Sequence, residues 1–148
     1  MKILLAMDGS RFSAAASQAI ATQLRPQSAE VLVVHVIEPS TFLEQDAGVR
    51  ERSSHAQALL NKAVQELQAA GFNGVTTRVV EAETRTGILE AAALWHADMI
   101  VLGSHGRKGL EKLMLGSVAE SVARHASCSI LIVRIPSTPE KDKCFTSP

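Results

Sequence analysis

Aromatic side chains are scarce in this sequence: they make up 3%, as four Phe, one Trp and no Tyr. Proteins that grip single-stranded nucleic acid stack bases on aromatic residues interleaved with basic ones, and this chain has little to offer there. An excess of either charge is also missing, since 15 Lys and Arg balance 15 Asp and Glu. No overall field draws such a chain to nucleic acid or to an anionic membrane surface. Cysteine is limited to Cys128, at the start of an apolar run, and Cys144, in a polar C-terminal stretch. Two such residues give neither a disulfide framework nor a paired metal-ligand spacing. Cys128 reads as a small buried hydrophobe and Cys144 as a plain tail residue, a reactive exposed thiol being the alternative at Cys144. Long hydrophobic runs are absent from the start of the chain, where only Ile3 to Met7 separates Lys2 from Asp8. That run is too short for a signal-peptide core or a membrane span, so the expected location is the cytoplasm. Two nucleotide motifs are missing as well. Neither GxxxxGK[ST] nor GxGxxG occurs, which removes support for a Walker-type NTPase or an NAD-binding turn.

What remains is a chain of 148 residues, 46% hydrophobic, suited to one domain with a sizeable core. Short apolar runs alternate with helical periodicities. Ile3 to Met7, Val31 to Ile37, Val75 to Val80, Met99 to Leu102 and Ile130 to Ile135 read as five strands. Between them, Phe12, Ala15, Ala16, Ala19 and Ile20 recur at three- and four-residue steps. Ala56, Leu59, Leu60, Ala63, Val64 and Leu67 do the same and end near Gly71, a second helix after a long connection from Glu38 to Gly48 that reads either as a lid or as disorder. Ile88, Leu89, Ala92 and Ala93, then Val118 and Val122, supply a third and a fourth helix. Strands alternating with helices imply a parallel sheet with right-handed crossovers, covered on both faces: an α/β, doubly wound architecture.

The densest chemical signal is Gly103 to Ser117, GSHGRKGLEKLMLGS, between a strand and a helical pattern. Gly103 and Gly106 are three apart and Gly116 lies ten further on. This spacing suits a cradle in which backbone N–H groups turn toward an anion. Ser117, with Glu120 three residues later, has capping-box spacing, so the segment delivers a ligand to a helix N-terminus, where free amides and the dipole favour negative charge. A plain flexible loop is the alternative reading of the same glycines.

The spacing Gly103, two residues, Gly106, nine residues, Gly116, Ser117 resembles the nucleotide-binding signature of the universal stress protein family, in its ATP-binding branch. Four further segments are similar to that family: MDGS with Ser13 following, VLVVHV, ADMIVLGSHG, and SCSILIVR after ARHA. The similarity runs from Met1 to about Arg134. A universal stress protein domain is therefore expected over residues 1–135, with 136–148 a mobile tail. Periodicity alone does not fix strand order. With the resemblance it implies a five-stranded sheet of order 3-2-1-4-5, of the adenine nucleotide alpha hydrolase-like kind. In that order strands one and four are neighbours whose helices leave on opposite faces, opening a crevice at their carboxyl ends. Asp8 and Gly103 stand at those ends.

Roles follow from this placement. Backbone amides of Gly103, Ser104, His105, Gly106, Gly116, Ser117 and Val118 are expected to hold the phosphates, with the Ser117 hydroxyl a further donor. The imidazole of His105 either faces the phosphates or is solvated. Asp8 is placed to accept ribose hydroxyls, a capping role for the first helix alongside Ser10 being compatible with it. The resemblance alone implies that backbone at Val36 meets adenine and that Ala6 lines the same pocket. His35 reads as a satisfied core group, Trp95 as a packing residue, and Arg107 and Lys108 as phosphate neutralisers or solvated loop charges. The cofactor implied is ATP, with Mg or Mn as an accompanying ion, and no catalytic residue is assigned. The leading function is an ATP-binding sensor or regulator of stress adaptation acting on another protein; a weak ATPase and a nucleotide-independent dimeric scaffold are the alternatives. A homodimer through the apolar edge strand Ile130 to Ile135 is expected, with cover by the tail as the other solution. One departure from the family stands at Ala82 to Thr86, AETRT, where many members have glycine and proline.

Overall fold

A computed structural model of the chain describes residues 1–39, 46–107 and 114–136. Among them β1 (Lys2–Ala6), α1 (Arg11–Gln23), β2 (Glu30–Ile37), α2 (Asp46–Ala69), β3 (Gly74–Glu81), α3 (Thr84–Trp95), β4 (Met99–Gly103), α4 (Ser117–His125) and β5 (Ser129–Val133) follow in that sequence. A 3₁₀ turn, Pro26–Ser28, joins α1 to β2. All strand pairs are parallel and the sheet order is β3-β2-β1-β4-β5, the order the sequence and its resemblance implied.

Strand alternation divides the core into two layers. Ile3, Leu5 and Met7 of the β1 run point with Val31 and Val33 toward Ala16, Ile20, Leu60 and Leu67 of α1 and α2. Leu4, Leu32, Val34, Ile100 and Leu102 point the other way, toward Ile88 and Ala92 of α3 and Val122 of α4. Each central strand is thus apolar at successive positions because both of its faces are covered. β1 sits in the middle, with Leu4 in register with Leu32 on one side and Ile100 on the other, and Ile3, Leu4 and Leu5 fully buried. Edge strand β3 shows Thr76, Thr77 and Arg78 to solvent, polar cover that discourages further pairing. At the other edge Ile130 to Val133 are half-buried. Cys128, just before β5, is partly buried, and desolvation pushes its thiol up from the ordinary value.

One expectation about an element end is corrected. α2 begins at Asp46, just inside the C-terminal end of the stretch taken as connection and well before the periodicity that starts at Ala56. Its first turns lack the apolar stripe that marks a helix: Val49, Arg50, Glu51, Ser53, Ser54 and His55 are exposed, and Ala56 is the first buried residue described. Residues 40–45 of that connection and 137–148 of the expected tail lie outside the described residues. At the departure AETRT the strand exit uses an acidic cap. The Glu83 carboxylate accepts from the Thr86 N–H at 3.1 Å and the Thr86 hydroxyl at 2.7 Å and opens α3. The Thr86 hydroxyl bond, helped by the neighbouring Arg85, holds the Glu83 carboxyl below its usual range.

Candidate functional site

β1 and β4 lie side by side, Leu5 in register with Val101, while α1 packs on one face of the sheet and α4 on the other. Their carboxyl ends open a crevice at the point where the strand order reverses. The end of β1 is fixed from the neighbouring strand. His35 is 4% exposed, and its Nδ1–H donates to the Met7 carbonyl at 2.7 Å, while the Met7 N–H donates to the Val34 carbonyl at 2.8 Å. His35 is therefore a satisfied core histidine that also holds the residue before Asp8.

Asp8 divides its carboxylate between two neighbours. Oδ1 accepts the Ser10 N–H at 2.9 Å, and the Ser10 hydroxyl in turn accepts the Ser13 N–H at 3.1 Å to cap α1. The Asp8 N–H donates to the Ser13 hydroxyl at 3.3 Å. Oδ2 turns to the glycine loop: a Cβ on Gly106 would lie 3.1 Å from it. The capping role and the crevice-facing role of Asp8 are thus served by different oxygens.

The glycines do different work from one another. A Cβ on Gly103 would come within 2.6 Å of the Phe12 carbonyl carbon and its Cβ, so the close approach that requires glycine there is that of α1. A Cβ on Gly116 would lie 3.0 Å from the Ser104 carbonyl oxygen and 3.1 Å from the His105 Cα, so the two ends of the loop are pressed together. Ser104, 2% exposed, joins these pieces. Its N–H donates to the Val133 carbonyl at 2.8 Å, its carbonyl accepts the Gly116 N–H at 2.7 Å, and its hydroxyl shares a 2.9 Å hydrogen bond with His105 Nδ1. The amides of Ser104 and Gly116 are spent inside the protein. The His105 ring rests 5.1 Å from the ring of Phe12.

The capping box expected at Ser117 is not formed. Gly116 is the N-cap and has no side-chain cap bond, Ser117 is the first helical residue, and Glu120 pairs with Arg124 at 2.9 Å. A serine at the cap would carry its Cβ into the Ser104–His105 backbone, which is why glycine holds that position. The first bond within α4 runs from the Glu120 N–H to the Gly116 carbonyl, 2.9 Å. The amides of Ser117, Val118 and Ala119 consequently have no acceptor inside their helix, and the positive end of its dipole lies there.

Ala6 and Val36 both lie on the α3/α4 face and are partly buried. The Val36 side chain packs against α3, its Cγ1 2.9 Å from where a Cβ on Gly87 would stand. Arg107 is exposed, and Lys108 lies outside the described residues. Among the described residues no group of three or more His, Cys, Asp or Glu is placed to hold a metal ion, and no helix is long and apolar enough to cross a membrane. A separate cleft of about 570 Å³ lies between the C-terminal ends of α3 and α4, lined by His96, His125 and Cys128 over an alanine-rich floor.

The sequence model of the Universal stress protein family matches residues 1–134. The chain belongs to the universal stress protein family. A relative from Staphylococcus aureus (strain USA300) that carries the universal stress protein designation is 33% identical over 142 residues, which is 93% of this chain and 86% of that one. Among solved structures, protein MJ0577 superposes with a TM-score of 0.78 at 26% identity, over 93% of this chain and 97% of that one. A universal stress protein solved in complex with cAMP superposes with a TM-score of 0.71 at 25% identity, over 90% and 96% of the two chains. In this universal stress protein, then, Asp8 meets Gly106, and Ser104 and His105 meet Gly116, with Ser117 and Val118 following at the start of α4. Phe12 and Ser13 join them and were missed as site residues. Phe12 was read only as part of a helical stripe, whereas the Ser10-x-x-Ser13 spacing did carry a readable cap.

Proposed function

We propose that this universal stress protein binds ATP in the crevice between β1 and β4 and acts as a nucleotide-dependent sensor or regulator of a stress response. The observation that carries this reading is the approach of Asp8 Oδ2 to Gly106, which joins a carboxylate from the start of the chain to the glycine loop near its end. A carboxylate there suits ribose hydroxyls, and the amides of Ser117 and Val118, which have no acceptor within the first turn of α4, suit phosphate oxygens. Ala6 and the Val36 backbone then border the base. The related universal stress protein that holds cAMP supports an adenine nucleotide as the ligand class. A magnesium or manganese ion arriving with the nucleotide is held mainly by phosphate oxygens, because Asp8 is the carboxylate the described crevice offers. The protein acts in the cytoplasm as a homodimer joined along β5, whose half-buried apolar residues and open backbone edge call for a partner strand. Nucleotide occupancy changes a surface that a regulated protein reads.

Calorimetric titration of Asp8→Asn with ATP and with 2′-deoxy-ATP tests this arrangement. Asn retains an acceptor for the Ser10 N–H but lacks the charge. ATP affinity is expected to fall about tenfold, from loss of a charge-assisted hydrogen bond, and the preference for ATP over the deoxy form to shrink. Unchanged affinity and an unchanged preference would remove Asp8 from the site.

A further inference from the structure

We propose that Arg134, which follows the last strand and lies outside the glycine signature, is a positioning residue that holds the end of the glycine loop in the geometry that nucleotide phosphates require. The proposal rests on the ATP reading above and names a residue that acts on that site through main chain. β5 runs parallel to β4 with Val133 in register with Gly103, so the strand ends where the loop begins. The Val133 carbonyl accepts the Ser104 N–H at 2.8 Å and so holds the first residues of the loop. The next residue, Arg134, is exposed, and its Nη2 donates to the carbonyl of Met114, two residues before Gly116. Consecutive residues at the end of β5 thus hold both sides of the loop. Between those two points the Gly116 N–H donates to the Ser104 carbonyl at 2.7 Å, which joins one side to the other.

The second side has few other anchors. The Met114 side chain is 83% exposed, Leu115 packs on the α3/α4 core, and Gly116, as N-cap, has no side-chain cap bond. A helix capped by glycine takes its entry direction from the residues that lead into it. The bond to the Met114 carbonyl therefore bears on where the Ser117 and Val118 amides stand. A hydrogen bond from a guanidinium is charge-assisted and stronger than one between neutral groups, and arginine keeps its charge at every physiological pH. Because this donor is spent on main chain, Arg134 shapes the cradle without being a ligand contact.

The test has two readouts on the full chain, Arg134→Ala and Arg134→Lys: amide hydrogen exchange without nucleotide, and calorimetric titration with ATP. In Arg134→Ala the Gly116 amide is expected to exchange about tenfold faster, while the Ser104 amide, held by Val133, and the amides of the buried strand residues Leu4 and Leu5 exchange as before. ATP affinity is expected to fall about tenfold in the same variant, and Lys, which keeps a charged donor, to recover part of both effects. Unchanged exchange at Gly116 would overturn the proposal, and weaker ATP binding beside it would make Arg134 a direct phosphate contact instead. Faster exchange at Gly116, Leu4 and Leu5 alike would overturn it too, since that is a general loss of stability. So would faster exchange at Gly116 with ATP affinity unchanged. Absence of ATP binding by the unsubstituted chain would bring down the ATP reading itself and this inference with it.

Discussion

Gly103 and Gly106 stand three residues apart in one signature, yet they are glycine for different reasons. At Gly103 the obstacle to a Cβ is main chain, the carbonyl carbon of Phe12 at 2.6 Å, whereas at Gly106 it is the end of a side chain, Asp8 Oδ2 at 3.1 Å. Main chain in a packed helix cannot yield without moving α1, and overpacking of this kind costs about 1–3 kcal/mol. Gly103→Ala is therefore expected to lose about that much in urea unfolding. Gly106→Ala should unfold close to the unsubstituted protein while losing nucleotide affinity, because its methyl group crowds the carboxylate and the cradle. Equal destabilisation by the two would mean that both glycines are packing residues. His35 was legible in the sequence from its alternation with apolar neighbours on β2, and its bond to the Met7 carbonyl bears this out. The demand at Gly103 was not legible, because nothing in a strand–loop pattern says which helix will lie against it.

At the scale of elements, strands and helix centres were readable, and so was the Ser10 cap of α1, but the starts of α2 and α4 were not. β1, β2 and β4 are short apolar runs buried on both sides, so hydrophobic pattern alone finds them. The start of α2 escaped notice because its first turns hold exposed residues and carry no periodicity. The start of α4 misled for a different reason: Ser117 and Glu120 have capping-box spacing, but the close contact of Gly116 with Ser104 and His105 takes the cap position for a glycine. α3 carries a pH-sensitive start. Glu83 has its carboxyl lowered from the ordinary 4.5, first by the Thr86 hydroxyl. A lowered folded-state value stabilises above the ordinary value, and that contribution is lost as pH falls through the lowered one. Thermal midpoints of the protein and of Glu83→Gln, compared from neutral pH to about pH 3, should therefore differ at neutral pH and converge in acid. The group is exposed and screened by solvent, so the difference is small. A gap that stays constant with pH would assign the cap to the Thr86 contacts irrespective of charge.

At the scale of the molecule, the sheet order decides everything about the site, since only with β1 beside β4 does Asp8 meet Gly106. The alternation of strands and helices made the architecture legible, but the order came through family resemblance, because no local pattern records which strands become neighbours. The same order leaves β5 at an edge. Sedimentation equilibrium is expected to give twice the 15.8 kDa chain mass; a single-chain mass at every concentration would leave that edge to be covered in another way. The most direct test of the crevice begins with protein purified without added nucleotide. Any bound ligand is released and identified by mass spectrometry, and ATP affinity is measured by calorimetry beside Gly106→Val. Adenine nucleotide carried through purification, with ATP binding lost in the folded variant, is the predicted result. No ligand and no heat of binding in the unsubstituted protein would contradict it and leave the glycine loop to another role.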